Sequence, residues 1–207
     1  PFYVPANSID EYRAADGWKE FYNIKPVTNR MAASDIAGYS GDTIVMPVAL
    51  KNHLGDVTAL QCDIRLANGM QLATDAEGYY DITLGDRATK RHGVTCKKQA
   101  DGAVRVLIYA SDNKALNGND GPLFYAKVAV PLELPTGNYG FEIDNIELTS
   151  PDGVKYLPES CSATVAVKYA RLGDSNHDTR VSIGDVITTA AYVLGNDPKP
   201  FVYEAAD

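Results

Sequence analysis

The sequence predicts a mainly β protein, an antiparallel β-sandwich with a short helical lead and a C-terminal loop followed by a helix. Three observations predict it. Between residues 30 and 168, apolar and polar residues alternate in a series of short runs, and period-two alternation places one face of each strand in a core. Gly, Asn, Asp and Pro separate the runs, as tight turns require. Helical spacing appears only near the two ends. Many short strands with so few helices pack as two sheets.

The bulk properties agree. The chain has 207 residues, 45% hydrophobic and 22% charged, enough to bury a core without staples. Its net charge is −8. A phosphate backbone demands a basic footprint, so no nucleic acid is expected as partner, nor an anionic membrane surface. No run reaches the roughly 18 apolar residues of a membrane span. The chain opens on Pro1 without a signal peptide, as a mature form or an excised fragment would.

Residues 1–29 are expected to be a small helical piece. Asn7 or Ser8 is placed to cap a helix over residues 9–15, and Gly17 to stop it. Trp18, Phe21 and Tyr22 are its apolar anchors. A segment this short cannot bury Trp18 alone, so it is expected to dock.

Residues 30–168 hold the strands. Ile44, Met46, Val48 and Leu50 share one face; Leu60, Cys62, Ile64 and Leu66 share another. Val104, Val106, Ile108 and Ala110 follow, then Phe124, Ala126, Val128 and Val130. Phe141 with Ile143, and Ile146 with Leu148, suggest two further short strands; Ala163, Val165 and Val167 close the series. Asn68-Gly69, Asp101-Gly102 and Asp152-Gly153 are turn signals. Cys62, Cys96 and Cys161 fit no zinc spacing and read as buried small hydrophobes, with a Cys96–Cys161 bridge possible in an exported protein.

Residues 169–207 carry the chemistry. Asp174, Asn176, Asp178, Ser182 and Asp185 fall at positions 1, 3, 5, 9 and 12 of a twelve-residue loop, the spacing of an EF-hand. Calcium needs six to eight hard oxygens. Asp174, Asn176 and Asp178 would each give one, the Arg180 carbonyl a fourth, Ser182 one directly or through water, and Asp185 would close the shell. Val181 is expected to point into the core and His177 outward. Ser182 and Asp185 form a capping pair for a helix over residues 183–194, apolar along Val186, Ile187, Ala190, Val193 and Leu194. Gly195 and Pro198 end it. Thr179 stands where a positive φ favours Gly, at a cost of about 1–2 kcal/mol.

Three resemblances follow from these residues. Tyr3, Val4, Pro5, Ser8, Tyr12, Ala15, Trp18, Phe21 and Ile24 match a phrase that closes surface leucine-rich-repeat proteins of anaerobic bacteria, so residues 1–29 resemble a capping remnant of such an array. The segments 41–52, 59–72, 102–112 and 121–131 resemble, in wording and order, the cohesin family and its carbohydrate-module relatives. Gly173, Asp174, Asn176, Asp178, Val181, Asp185 and Leu194 match one half of a dockerin, with Thr179 the single miss. Residues 201–207 look like the lead-in to a second half, with Asp207 at or beside its first ligand.

Enzymatic activity is not expected. His53, His92 and His177 sit in no catalytic motif, and Lys90-Arg91-His92-Gly93 reads as a solvated turn. A carbohydrate-binding role would need exposed coplanar aromatics; Tyr79, Tyr80, Tyr109, Tyr125 and Tyr139 are the candidates. The resemblances imply instead a secreted or cell-surface interaction module of the cohesin–dockerin type, linked to polysaccharide utilisation or adhesion. Its partner would be a cohesin, a dockerin or the chain's own sandwich. Ile183 and Gly184 replace the usual polar recognition pair of dockerins. The uncovered apolar side of the C-terminal helix is therefore expected to pack on the sandwich.

Overall fold

The computed structural model describes residues 2–4, 8–67, 69–168 and 171–206. The expected roles of Pro5, Asn7, Asn68 and Asp207, and the junction at Tyr169-Ala170, lie outside them.

The chain begins with β1 (Phe2–Val4), α1 (Ile9–Ala14) and β2 (Ile24–Pro26). β1 and β2 pair in parallel, Phe2 opposite Ile24. Ser8 occupies the N-cap but makes no side-chain cap bond. Trp18 finds its partners within this unit: its ring meets Phe2 at 5.9 Å and Tyr12 at 4.8 Å, and Phe21 lies 4.3 Å from Phe2. Tyr22 is not an anchor; it is 98% exposed. Neighbours in a turn project to opposite sides, and Phe21 takes the inner one.

The sandwich strands follow: β3 (Arg30–Ala33), β4 (Ile36–Tyr39), β5 (Thr43–Lys51), β6 (Ala59–Leu66), β7 (Gln71–Leu72), β8 (Ile82–Leu84), β9 (His92–Lys98), β10 (Val104–Ala110), β11 (Asp120–Ala129), β12 (Gly137–Thr149), β13 (Lys155–Tyr156) and β14 (Cys161–Lys168). One sheet runs β3-β5-β11-β7, with β8 also on β11; the other runs β4-β14-β12-β6-β10-β9, with β13 on β12. Pairing is antiparallel except for β4 on β14, where Ile36 lies opposite Val165.

The core fills the space between the sheets. Met46, Val48, Leu50, Leu60, Cys62, Ile64, Val106, Ile108, Phe124, Ala126, Val128, Ile143 and Leu148 are all buried, as their alternation predicts. Each large side chain buried this way stabilises the fold by about 1.5–3 kcal/mol.

Two irregularities have sequence causes. The two short strands expected around Phe141 and Leu148 are one strand, β12, whose register on β6 shifts between Asp144 and Glu147. Ile143 and Ile146 are three apart, an odd spacing that would flip the face. The bulge absorbs the extra residue, with Asn145 at φ +48°. In β11, Leu123 and Phe124 are both buried beside a similar shift.

His92 corrects the solvated-turn reading. It is buried and opens β9, because His92, Val94 and Cys96 continue an inward alternation that the flanking charges obscured. The three cysteines are free thiols. Cys96 on β9 and Cys161 on β14 are separated by β10, β6 and β12. Four inter-strand steps of about 4.8 Å each far exceed the reach of a disulfide. Burial raises the Cys96 thiol to about 11 and pushes Cys62 higher still.

After β14 come α2 (Ile183–Val193) and α3 (Tyr203–Ala206). Leu194, expected as the last helical residue, is the C-cap, and Gly195 turns the chain at φ +84°. No helix among the described residues is long and apolar enough to cross a membrane.

Candidate functional site

The C-terminal loop is drawn inward by two carboxylates. Asp174 is buried and accepts the Asp178 and Thr179 amides at 3.0 and 2.9 Å, one on each oxygen. Asp185, also buried, accepts the Ser182 and Asn176 amides at 2.6 and 3.3 Å. Burial pulls the Asp185 carboxyl upward, but the backbone N–H groups of Ser182 and Asn176 outweigh it and leave it below the usual carboxylate range. Ser182 accepts the Gly184 amide, completing a capping box with Asp185.

The remaining expected ligands lie further out. Asn176 accepts the Asp178 amide and donates to the Asp178 carboxylate at 3.1 Å. Asp178 in turn accepts the Arg180 amide at 2.9 Å. Among the described residues, no three His, Cys, Asp or Glu side chains are gathered closely enough to form a metal cluster. Thr179 takes φ +71°, the conformation for which its position favours Gly.

The loop is moored to one end of the sandwich. His177 does not point outward. It is buried, its Nε2 3.3 Å from the Leu132 carbonyl. The Thr179 methyl fills space that a Cβ at Gly41 would occupy. Arg171 pairs with Asp42 and lies over the Tyr39 ring at 5.0 Å. The chain then folds back on the loop. Val202 donates to the Ser175 carbonyl at 2.9 Å and Gly173 to that of Ala205 at 2.6 Å. Phe201 stacks on Tyr192 at 4.3 Å.

The helix itself does not dock on the sandwich. Ile183, Val186, Ile187, Val193 and Leu194 are 60–80% exposed, and Val181 is exposed rather than inserted in the core. The reason is geometric. The polar residues Asp174, His177 and Asp185 hold the loop, so the apolar side of α2 turns to solvent.

A second feature lies on the outer face of β9-β10-β6-β12. Gln61, Asp63 and Arg65 face away from the core, alternating with Cys62 and Ile64. Asp63 is only 2% exposed because Arg105 covers it, with two 2.7 Å contacts from Nε and one terminal nitrogen. Asn145 adds a third donor at 2.9 Å, aimed there by the bulge in β12. The Arg105 hydrogen bonds hold the Asp63 carboxyl below its usual range, against the desolvation that would raise it. Arg65 bridges Asp144 and Asp101 at 2.7 Å each. Asp63 and Asp144 are direct cross-strand neighbours, a repulsive pairing that the two arginines neutralise. Leu107 and half-exposed Tyr109 lie beside this network on β10. Sequence reading missed it. Alternation in β6 marks the outward residues, but register alone reveals that Arg105 faces Asp63.

Among the described residues, the candidate tyrosines gather into no platform beside it. Of the candidate tyrosines, the exposed ones are Tyr79, beside β8 in one sheet, and Tyr109, on β10 in the other; the Tyr139 hydroxyl is bonded to the Pro135 carbonyl.

Comparison with solved structures finds cohesins. The chain is 19% identical to the non-cellulosomal cohesin of the archaeon Archaeoglobus fulgidus, with a TM-score of 0.54, covering 69% of this chain and 92% of that one. For CaCohA2 of Clostridium acetobutylicum the values are 15%, 0.55, 70% and 93%. For the Coh-OlpA–Doc918 cohesin–dockerin complex of Clostridium thermocellum they are 16%, 0.56, 69% and 100%. No family model and no curated protein matches the chain. At such identities the likeness shows the fold: a cohesin-like β-sandwich.

Proposed function

We propose that the chain is a non-catalytic protein-interaction module. Its sandwich offers the outer face of β9-β10-β6-β12 to a partner module of the dockerin type. The observation that carries this reading is the Asp63–Arg105–Asn145 and Asp101–Arg65–Asp144 network. Charges held by paired hydrogen bonds on a sheet supply directional contacts at little further cost in side-chain entropy. Four of the similar structures contain a cohesin with a dockerin, one of them Coh-OlpA–Doc918, which supports the choice of partner.

The C-terminal segment is proposed to be a dockerin-like half that folds around calcium, through Asp174, Asn176, Asp178, the Arg180 carbonyl, Ser182 and Asp185. Supporting this are the two buried carboxylates closing one loop and the left-handed turn at Thr179. Calcium would replace backbone amides as the partner of Asp174 and Asp185, and would stabilise the segment by mass action. Such a module suits a secreted or surface protein, where calcium is plentiful, with a role in adhesion or assembly during polysaccharide use.

Calorimetric titration of the chain with a panel of dockerin modules tests the interaction. Saturable binding to at least one, weakened tenfold or more by Arg105→Ala, is expected. Binding to none of them, or binding indifferent to Arg105→Ala, would remove the sheet face as the site.

A further inference from the structure

A separate site lies where the N-terminal unit meets the sandwich. Residues 28–31, at the start of β3, and residues 155–160, from β13 to the edge of β14, form the two walls of a slot of about 820 Å³. That is an ordinary size for a ligand site. Thr28 and Arg30 continue it into a second hollow of about 440 Å³ that also meets Lys51 and His53.

The lining has an unusual sign. The chain carries −8 overall, yet Lys25, Arg30 and Lys155 line the slot against the single acid Glu159. Lys155 is engaged by Glu147 and Lys51 by Asp120, each at 2.7 Å. Lys25 and Arg30 form no ion pair among the described residues. Arg30 also lies directly opposite Lys51 in the β3–β5 register. Like charges so placed repel; Asp120 already offsets Lys51, so an incoming anion would answer Arg30.

The walls carry unused hydrogen-bonding capacity as well. Asn29 is 5% exposed; its carbonyl oxygen accepts the Leu54 amide at 3.0 Å, but its Nδ2 has no partner. Residues 157–160 belong to no strand or helix, and their main chain makes no hydrogen bond outside the sheet ladders among the described residues. Because Pro158 lacks an N–H, Leu157, Glu159 and Ser160 are the donors of this run. An open run of main-chain donors and acceptors is a template for strand addition. Leu157, 75% exposed, offers an apolar contact to one side chain of such a strand.

We propose that this slot binds an extended acidic peptide, laid along residues 157–160 as an added strand, with its carboxylates on Lys25 and Arg30. The slot borders the β9-β10-β6-β12 face, since Leu157 and Pro158 also line a hollow with Arg105 and Asn145, but its test does not involve a dockerin.

The experiment is fluorescence anisotropy of the full chain with a labelled hexapeptide of alternating Glu and Val. Saturable binding is expected, weakening as salt rises. Arg30→Glu should weaken it about tenfold or more. A Lys–Val peptide should not bind. The same Glu–Val peptide N-methylated at alternate residues keeps its charge but loses its strand edge, and should bind at least tenfold more weakly. Ser160→Pro, which removes one amide from the wall, should weaken binding with the circular dichroism spectrum unchanged. No saturable binding, or equal binding of the N-methylated peptide, would overturn the proposal. So would tighter binding of polygalacturonate than of the peptide, which would assign the slot to an acidic glycan.

Discussion

The sandwich and the C-terminal segment bury opposite things. Between the sheets, what is hidden is apolar: Met46, Phe124, Ile143 and their neighbours are fully enclosed, and the charges of β6 and β10 face outward. In residues 171–206 the hidden groups are mostly polar, Asp174, Ser175, His177 and Asp185, while Val181, Ile183, Val186, Ile187, Val193 and Leu194 face water. The difference teaches what each region is built around. The sandwich is organised by the hydrophobic effect, needing only its own sequence. The C-terminal segment is organised by a knot of carboxylates and backbone amides, with its apolar surface left over for something else.

The largest effect should separate the two most cleanly. Phe124→Ala empties the middle of the core and should cost about 3–5 kcal/mol in urea unfolding. The same substitution should leave calcium binding by the surviving folded population unchanged. A comparable loss from Asp174→Ala would break the distinction.

Arg105→Ala comes next. It leaves Asp63 buried with Asn145 as its remaining side-chain donor, and should cost about 1–3 kcal/mol. The loss should shrink as pH falls, because protonating Asp63 removes the stranded charge. A pH-independent loss would show that Arg105 acts by packing alone.

Thr179→Gly should act only on the C-terminal segment. Removing a β-branched residue from φ +71° should stabilise the segment by about 1 kcal/mol and tighten calcium about fivefold. Destabilisation would mean that the contact of its methyl with Gly41 outweighs the strain.

The smallest effect is His92. Burial, the main cause, holds its pKa below 6.5. The unfolded chain therefore takes the proton first, and stability present above pH 6.5 is lost as pH falls below it. Melting temperature followed from pH 8 to pH 5 should decline in this window, and less steeply in His92→Gln. Identical slopes would assign the decline to other groups.

Much of the fold was legible because it rests on one physical rule. Alternation at Met46-Val48-Leu50 and Leu60-Cys62-Ile64 marks the core directly, and Ser182 with Asp185 announces the cap of α2. What alternation cannot show is who lies across. The pairing of Asp63 with Arg105, 42 residues apart, depends on register, and so does the slot between residues 28–31 and 155–160. His92 and His177 were misjudged for a related reason: their charged or loop neighbours say nothing of the strand or carbonyl they fold against. The packing of α2 on the sandwich was expected from its apolar side alone. Apolar residues show that a surface wants cover, not that the same chain provides it.

The most direct test is a calorimetric titration of the chain with calcium, beside Asp174→Ala and Asp185→Ala. Saturable binding at one site, abolished in both variants, is the expected result and would establish a C-terminal segment organised around an ion. No heat up to several millimolar calcium, or binding that survives both substitutions, would contradict it and leave the buried carboxylates as a backbone clasp alone.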